Sequence, residues 1–335
     1  MVATNTAAAA APEARPAEAG ARPAGSAAQP RGLSALRPTA RVAGPLALGL
    51  TVLIWAGFAL SARALGSSTL LPADVALLRF GVPLVVLAPA LWRRRRLLAA
   101  VRPAPALKIV CGAGVPFFLI VMYGGSLTSA AFVGAIVPGM VPLFVSALMV
   151  AGGRGLPRGA QSAGLALIVA GVVALVWRHT AALDQDVLLG AGALLVASGL
   201  WALYTVGLRE VGLDPVGSIG VLCLPSFLIV AVLAVTGVLP TGLGRAAGGD
   251  VLLFLVVQGL GVGLCAGLLY AFAIRSLGPE RCAVVGSLSP VLVVLLAVPL
   301  LHESPTLSVL IGVPLITSGV VLANRRPRTK VSTDA

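Results

Sequence analysis

Four aromatic residues of this chain sit in two pairs of equal spacing. Trp55 stands three positions before Phe58, and Trp201 three before Tyr204. Residues at i and i+3 share a helix face, so each pair would present a flat, partly polar surface against which an organic solute can lie. The same pairs also fit an interfacial belt or simple helix packing. Tyr123 and Tyr270 form a second set, each with a hydroxyl that needs a partner in lipid: a solute in a cavity or a neighbouring helix. Arg79 lies about seven residues into an apolar run, roughly 10 Å deep by helical rise. A charge at that depth is costly and marks a functional position by default. It can attract a carboxylate or phosphate, snorkel outward, or pair with Asp74 five residues earlier. Gln258, Ser287 and Ser289 offer further polar contacts to a solute. Pro142 and Pro290 interrupt the backbone ladder of their helices, which frees carbonyls to line a cavity or makes a hinge; packing kinks are the plainer reading. Glu303 and His302 precede the last apolar run, where helix capping and dipole stabilisation compete with solute contact.

The chemistry these residues omit narrows the reading. All eleven acidic residues fall in tails, loops or the ends of apolar runs, so no carboxylate sits mid-membrane where proton relays place one. That points to facilitated efflux, exchange, or coupling through the ionisation of the solute itself. The two histidines, His179 and His302, lie outside the apolar runs, and no buried nucleophile, base or metal cluster stands out. A membrane-embedded enzyme is thus the weaker alternative, as is a channel or non-transporting receptor. The four cysteines show no CxxC pair and read as small hydrophobes in helices. Gly261-Val262-Gly263 superficially resembles a dinucleotide fingerprint, but no strand precedes it. Gly259, Gly263 and Gly267 instead make a small-residue ladder for close helix packing. No P-loop is present, and no cofactor or metal is implied.

Composition dictates the solvent in which these groups are held. The chain is 58% hydrophobic and 10% charged, with a mean hydropathy of +1.03; a soluble domain carries about 25% charged residues. Apolar stretches of about 20 residues recur, each enough to cross a hydrocarbon layer as a helix. The spans run over 43–64, 72–92, 107–126, 130–150, 159–177, 188–207, 216–238, 251–273, 281–301 and 306–323. They are continuous rather than alternating, so they are helices and not barrel strands. The fold class expected is all-α and integral to the membrane. Ser304-Pro305 reads as an N-cap followed by the first residue of the tenth helix.

The net charge of +13 does not indicate nucleic acid, because the basic residues flank apolar runs rather than cluster on one face. With the N-terminus inside, twenty lysines and arginines fall on inner segments and three (Arg63, Arg178, Arg245) on outer ones. That asymmetry sets both termini in the cytoplasm. Residues 1–42, rich in Ala, Pro and Arg, read as a disordered cytoplasmic tail, and 325–335 as a short C-terminal one. Ala62-Arg63-Ala64 mimics a signal-peptidase site, but the long preceding tail and the repeat below argue that the first helix is retained.

The repeat divides the chain into residues 43–178 and 188–324. Trp55, Phe58, Arg63 and Gly66 recur 146 residues on as Trp201, Tyr204, Arg209 and Gly212. Tyr123 and Tyr270 are 147 apart; Pro142 and Pro290, Gly164 and Gly312, and Gly171 and Gly319 are each 148 apart. Five helices per half is odd, so the second half enters from the opposite face: an inverted repeat, the architecture of alternating access. The Trp-Ala segments, Leu77-Leu78-Arg79-Phe80, Ser289-Pro290 and Leu301-His302-Glu303 together resemble EamA-type members of the drug/metabolite transporter superfamily over residues 43–324. The resemblance implies ten helices in two inverted five-helix repeats around a central cavity. It also implies export or exchange of an amino acid or other small metabolite across a cell (inner) membrane. The chain departs from it at Ala151-Gly152-Gly153-Arg154-Gly155, which lacks the acid that would mirror Glu303. The partners expected are a small-molecule solute and the bilayer, with no nucleic acid; a homo-oligomer does not follow from the residues.

Overall fold

The computed structural model describes residues 38–182 and 184–324, and among them every regular element is helical. The tails expected over most of 1–42 and over 325–335 lie outside the described residues. Among the described residues nine helices are long and apolar enough to cross a membrane, and Leu307–Ala323 is a shorter apolar helix of 17 residues. We number them α1 (Pro38–Ala64), α2 (Pro72–Arg93), α3 (Pro103–Leu127), α4 (Ala130–Ala151), α5 (Ala160–Ala181), α6 (Gln185–Val211), α7 (Pro215–Val235), α8 (Gly248–Leu277), α9 (Pro279–Leu301) and α10 (Leu307–Ala323).

Local chemistry fixes the ends. Pro72 opens α2, and the Asp74 side chain accepts the Leu71 N–H at 2.8 Å, which satisfies a donor that no helical turn can reach. Asp214 caps α7 by accepting from Gly217 N at 3.2 Å, with Pro215 in the first turn. Gly212 ends α6 in the left-handed region at φ 63°, where a Cβ would be strained. The first helix begins at Pro38, with its apolar span from Val42. One expectation is corrected here. The N-cap of α10 is Thr306, whose hydroxyl accepts from Val309 N at 3.4 Å, rather than Ser304.

Three helices are broken near their middles. α3 divides at Gly114, into Pro103–Ala113 and Val115–Leu127. α4 divides at Met140 and α9 at Ser287-Leu288. Pro142 and Pro290 each occupy the first turn of the segment after the break, where the missing N–H costs nothing. α8 is continuous, but Leu255–Cys265 winds as a π-helix. The Gly114 break and this π segment interrupt α3 and α8, helices five apart in the chain.

Lipid gives helices no hydrophobic reason to associate, so close packing at small residues must do so. α5 and α10 lie along one another with backbones nearly touching. A Cβ added at Gly164 would stand 2.7 Å from the Gly319 carbonyl, and one at Gly171 would stand 2.9 Å from the Gly312 carbonyl. Because 164 meets 319 while 171 meets 312, the two helices are antiparallel. The remaining packing pairs α1 with α8 and α9, α6 with α3 and α4, α2 with α7 and α8, α7 with α3, and α4 with α9. α4 also packs on α1 and α10, whereas α9 does not pack on α6 or α5 to a comparable extent.

Candidate functional site

Arg79 is the buried centre. Helix α2 carries it seven positions in from Pro72, and the residue is 7% exposed. The guanidinium donates to Gln258 Oε1 at 2.8 Å; Gln258 Nε2 donates to Ser61 Oγ at 2.7 Å, which in turn donates to the Phe58 carbonyl at 2.8 Å. The rings of Phe58, Phe118 and Phe80 surround the cation at 5.0, 5.6 and 5.8 Å from their centroids. Tyr204 and Cys223 are within electrostatic reach. Asp74 is not its partner, because five residues along a helix turn the side chain about 140° away. Its Oδ2 instead accepts from the Leu71 and Gly242 backbone. Nor does Arg79 snorkel, since the rings enclose it.

Helix α8 is pressed onto α2 at this level. A Cβ at Gly263 would lie 2.4 Å from the Arg79 carbonyl, and one at Gly259 would lie 2.9 Å from Val82. Of the expected glycine ladder, Gly267 takes no part: a Cβ there meets nothing within 4 Å. Gln258 itself belongs to the π segment and is fully buried. π-helical turns occur often at functional sites.

The aromatic residues form two groups. Trp55 packs on Tyr270 with ring centroids 5.0 Å apart and lies against Gly286, where an added Cβ would meet it at 3.3 Å. Phe58 stacks on Phe117 at 6.2 Å, and Phe117 meets Trp201 edge to face at 5.2 Å. A run of rings thus leads from the Arg79 cage across α3 to α6. Trp55 and Trp201 belong to different ring contacts, and Phe117 links the second of them to the centre. Tyr123 is left out of both groups, with 54% of its surface uncovered by protein. Ser287, at the α9 break, donates to the Val284 carbonyl at 2.6 Å, and Ser289 is buried where the following segment starts.

Ser61, Phe117, Phe118 and Ser226 were not singled out from sequence. Ser226 Oγ is buried without a hydrogen-bond partner and sits beside the α3 break, 2.4 Å from where a Gly114 Cβ would be. It shares a face of α7 with Cys223, three residues before it. Gly114-Val115-Pro116 was the available signal: a glycine two residues before a proline inside an apolar run.

At one mouth of the molecule Arg63 Nε pairs with Glu303 Oε1 at 2.9 Å, and Glu303 Oε2 accepts the Ala130 N–H at 3.1 Å. Glu303 therefore caps α4, not the α10 that follows it. A cavity of about 420 Å³ opens here, lined by Arg63, Ser126, Phe132, His179, Glu303 and Thr306 among others. His302 holds the turn in the left-handed region at φ 54°, and the Glu303 N–H bonds back to Ala297 O at 3.3 Å. Arg209, 146 residues after Arg63, is exposed, and the stretch Ala151-Gly152-Gly153-Arg154-Gly155, which contains the position 148 residues before Glu303, has no acid.

Residues 188–325 match the model described as the EamA-like transporter family. Fourteen solved chains resemble this one. One of them, described only as "Crystal structure of protein", is 21% identical with a TM-score of 0.58, over 86% of this chain and 98% of its own. A likeness at that identity speaks for the fold alone. No curated protein matches the chain.

Proposed function

We propose, from the premise that residues 188–325 form an EamA-like transporter domain, that the whole chain is a secondary carrier for a small metabolite. On this reading ten helices cross a cell (inner) membrane as two five-helix halves of opposite orientation, with both termini in the cytoplasm. One observation carries the reading: exchanging each helix n with helix n+5 maps the principal packing contacts onto one another. α1 on α8 becomes α6 on α3, α1 on α9 becomes α6 on α4, and α2 on α8 becomes α7 on α3. α2 on α7, α4 on α9 and α5 on α10 map onto themselves. The antiparallel course of α5 and α10 supports opposite orientation of the halves. Paired interruptions at the centre (Gly114 with the π segment, Met140 with Ser287-Leu288) suit a midplane site built on discontinuous helices.

The two mouths differ. Glu303 ties α1 to the start of α4, whereas α6 and α9, the equivalent helices of the other half, do not pack to a comparable extent. With the termini inside, the Arg63–Glu303 pair and its cavity of about 420 Å³ lie on the outer side, and the solute exported or exchanged is an amino acid or similar metabolite. Phe58, Trp201, Tyr204, Arg79 and Gln258 are the proposed solute contacts, with Trp55, Tyr270, Ser287 and Ser289 on the opposing face and Pro142 and Pro290 at the moving breaks. Counterflow in proteoliposomes tests this. Vesicles preloaded with unlabelled amino acids or organic acids should transiently accumulate the labelled solute above its outside concentration, and the flux should saturate. A flux that never saturates, or a chemically altered solute, would instead point to a channel or an enzyme.

A further inference from the structure

We infer that the solute carried is an organic anion whose carboxylate docks on Arg79, an assignment that rests on the carrier reading above. Arg79 is a cation enclosed at membrane depth, and among the described residues it forms no ion pair. Its guanidinium offers five N–H donors in a planar fork, and one is given to the neutral amide of Gln258. Three phenylalanine rings ease the burial of the charge but do not neutralise it. A buried charge in lipid is ordinarily held by a partner of opposite sign, and the chain's nearest acid along α2, Asp74, is turned away and engaged with backbone N–H groups. The missing charge is therefore one the solute brings. A carboxylate fits the guanidinium fork two oxygens at a time, and Gln258 Oε1 occupies one of those positions while the site is free.

The surroundings define the rest of the ligand. From Arg79 the rings of Phe58, Phe117 and Trp201 follow one another at 6.2 and 5.2 Å, so the body beyond the carboxylate is flat or apolar. The unpartnered Ser226 hydroxyl, one turn from Cys223 on α7, offers one polar contact on the same side of the chain as Cys223. An acid of this kind leaves the loaded centre neutral, which is what crossing a membrane interior requires of a carrier without its own mobile carboxylate.

Matched ligands test the assignment. The full chain in nanodiscs would be titrated with phenylacetate and phenylacetamide, benzoate and benzamide, and hexanoate and hexanamide, by calorimetry and by tryptophan fluorescence. At least one acid should bind ten times or more tighter than its amide, and Arg79→Lys should reduce that ratio while keeping its sign. Arg79→Gln should bring acid and amide level; if that variant does not fold, the wild-type and lysine ratios still decide. No acid binding more tightly than its amide overturns the inference. Counterflow run alongside separates it from the carrier reading. Counterflow without charge preference leaves the carrier and removes the anion site; acid-selective binding without counterflow does the reverse.

Discussion

Replacing Gly164 by alanine places a methyl group where two backbones already meet. The added Cβ would stand 2.3 Å from Ala323 N and 2.7 Å from the Gly319 carbonyl, against about 3.5–4.0 Å for comfortable contact. α5 and α10 must then part by roughly 1 Å along the crossing, weakening every contact there at once. Overpacking of this kind costs about 1–3 kcal/mol, partly offset by up to about 1 kcal/mol from the better helix propensity of alanine. Gly267 is the control: nothing lies within 4 Å of its Cβ position, so Gly267→Ala should gain up to about 1 kcal/mol. The double variant Gly164→Ala/Gly319→Ala adds a test of geometry. Once the first methyl has separated the helices the second enters freely, so the pair should fall short of additivity by more than about 0.5 kcal/mol. Reversible unfolding in mixed micelles, followed by tryptophan fluorescence, measures the wild type, Gly164→Ala, Gly319→Ala, the double variant and Gly267→Ala. Equal stabilities for Gly164→Ala and Gly267→Ala would refute the close crossing of α5 and α10.

Other changes probe other parts. Glu303→Gln removes the charge facing Arg63 but keeps an oxygen for the Ala130 N–H, so it should cost about 0.5–1 kcal/mol; Glu303→Ala loses the cap as well, about 1 kcal/mol more. Equal losses from the two variants in the same unfolding assay would show that the cap on α4 is not made. His302→Gly relieves a left-handed backbone and should stabilise by about 1 kcal/mol, read as a higher unfolding midpoint; a lower one would show that the imidazole is needed there. Trp201→Ala and Trp55→Ala should each weaken solute binding in a ligand-stabilisation screen, and binding that survives both undiminished removes the aromatic surfaces from the site.

The sequence located the apolar helices within a few residues because each is a long run punctuated by prolines and charges. Orientation within the bundle was harder to read. In lipid the outward face of a helix is as apolar as the inward one, so no periodicity told Tyr270, packed on Trp55, from Tyr123, more than half of whose surface no other residue covers. Arg79 could be recognised as costly, yet its company of Phe58, Phe80 and Phe118 comes from three helices and leaves no local mark. The prolines at 142 and 290 did announce the breaks of α4 and α9, since a missing N–H is a local fact. The π-helical turns of α8 had no such marker beyond three glycines that also suit ordinary packing. Glu303 was placed at a helix end correctly, but its client is a helix distant in the chain, reached only through the fold.

The widened coil of α8 holds spare length inside the bilayer. Eleven residues wound with i to i+5 bonds occupy less axial distance than the same residues in ordinary α register. Rewinding them would lengthen the rod, drive its Arg275 end toward the aqueous boundary and swing Gln258 off the guanidinium in one movement. A solute that took over the bond to Arg79 would remove one of the ties holding Gln258 in place, so occupancy at the centre and extension of that rod would become a single event.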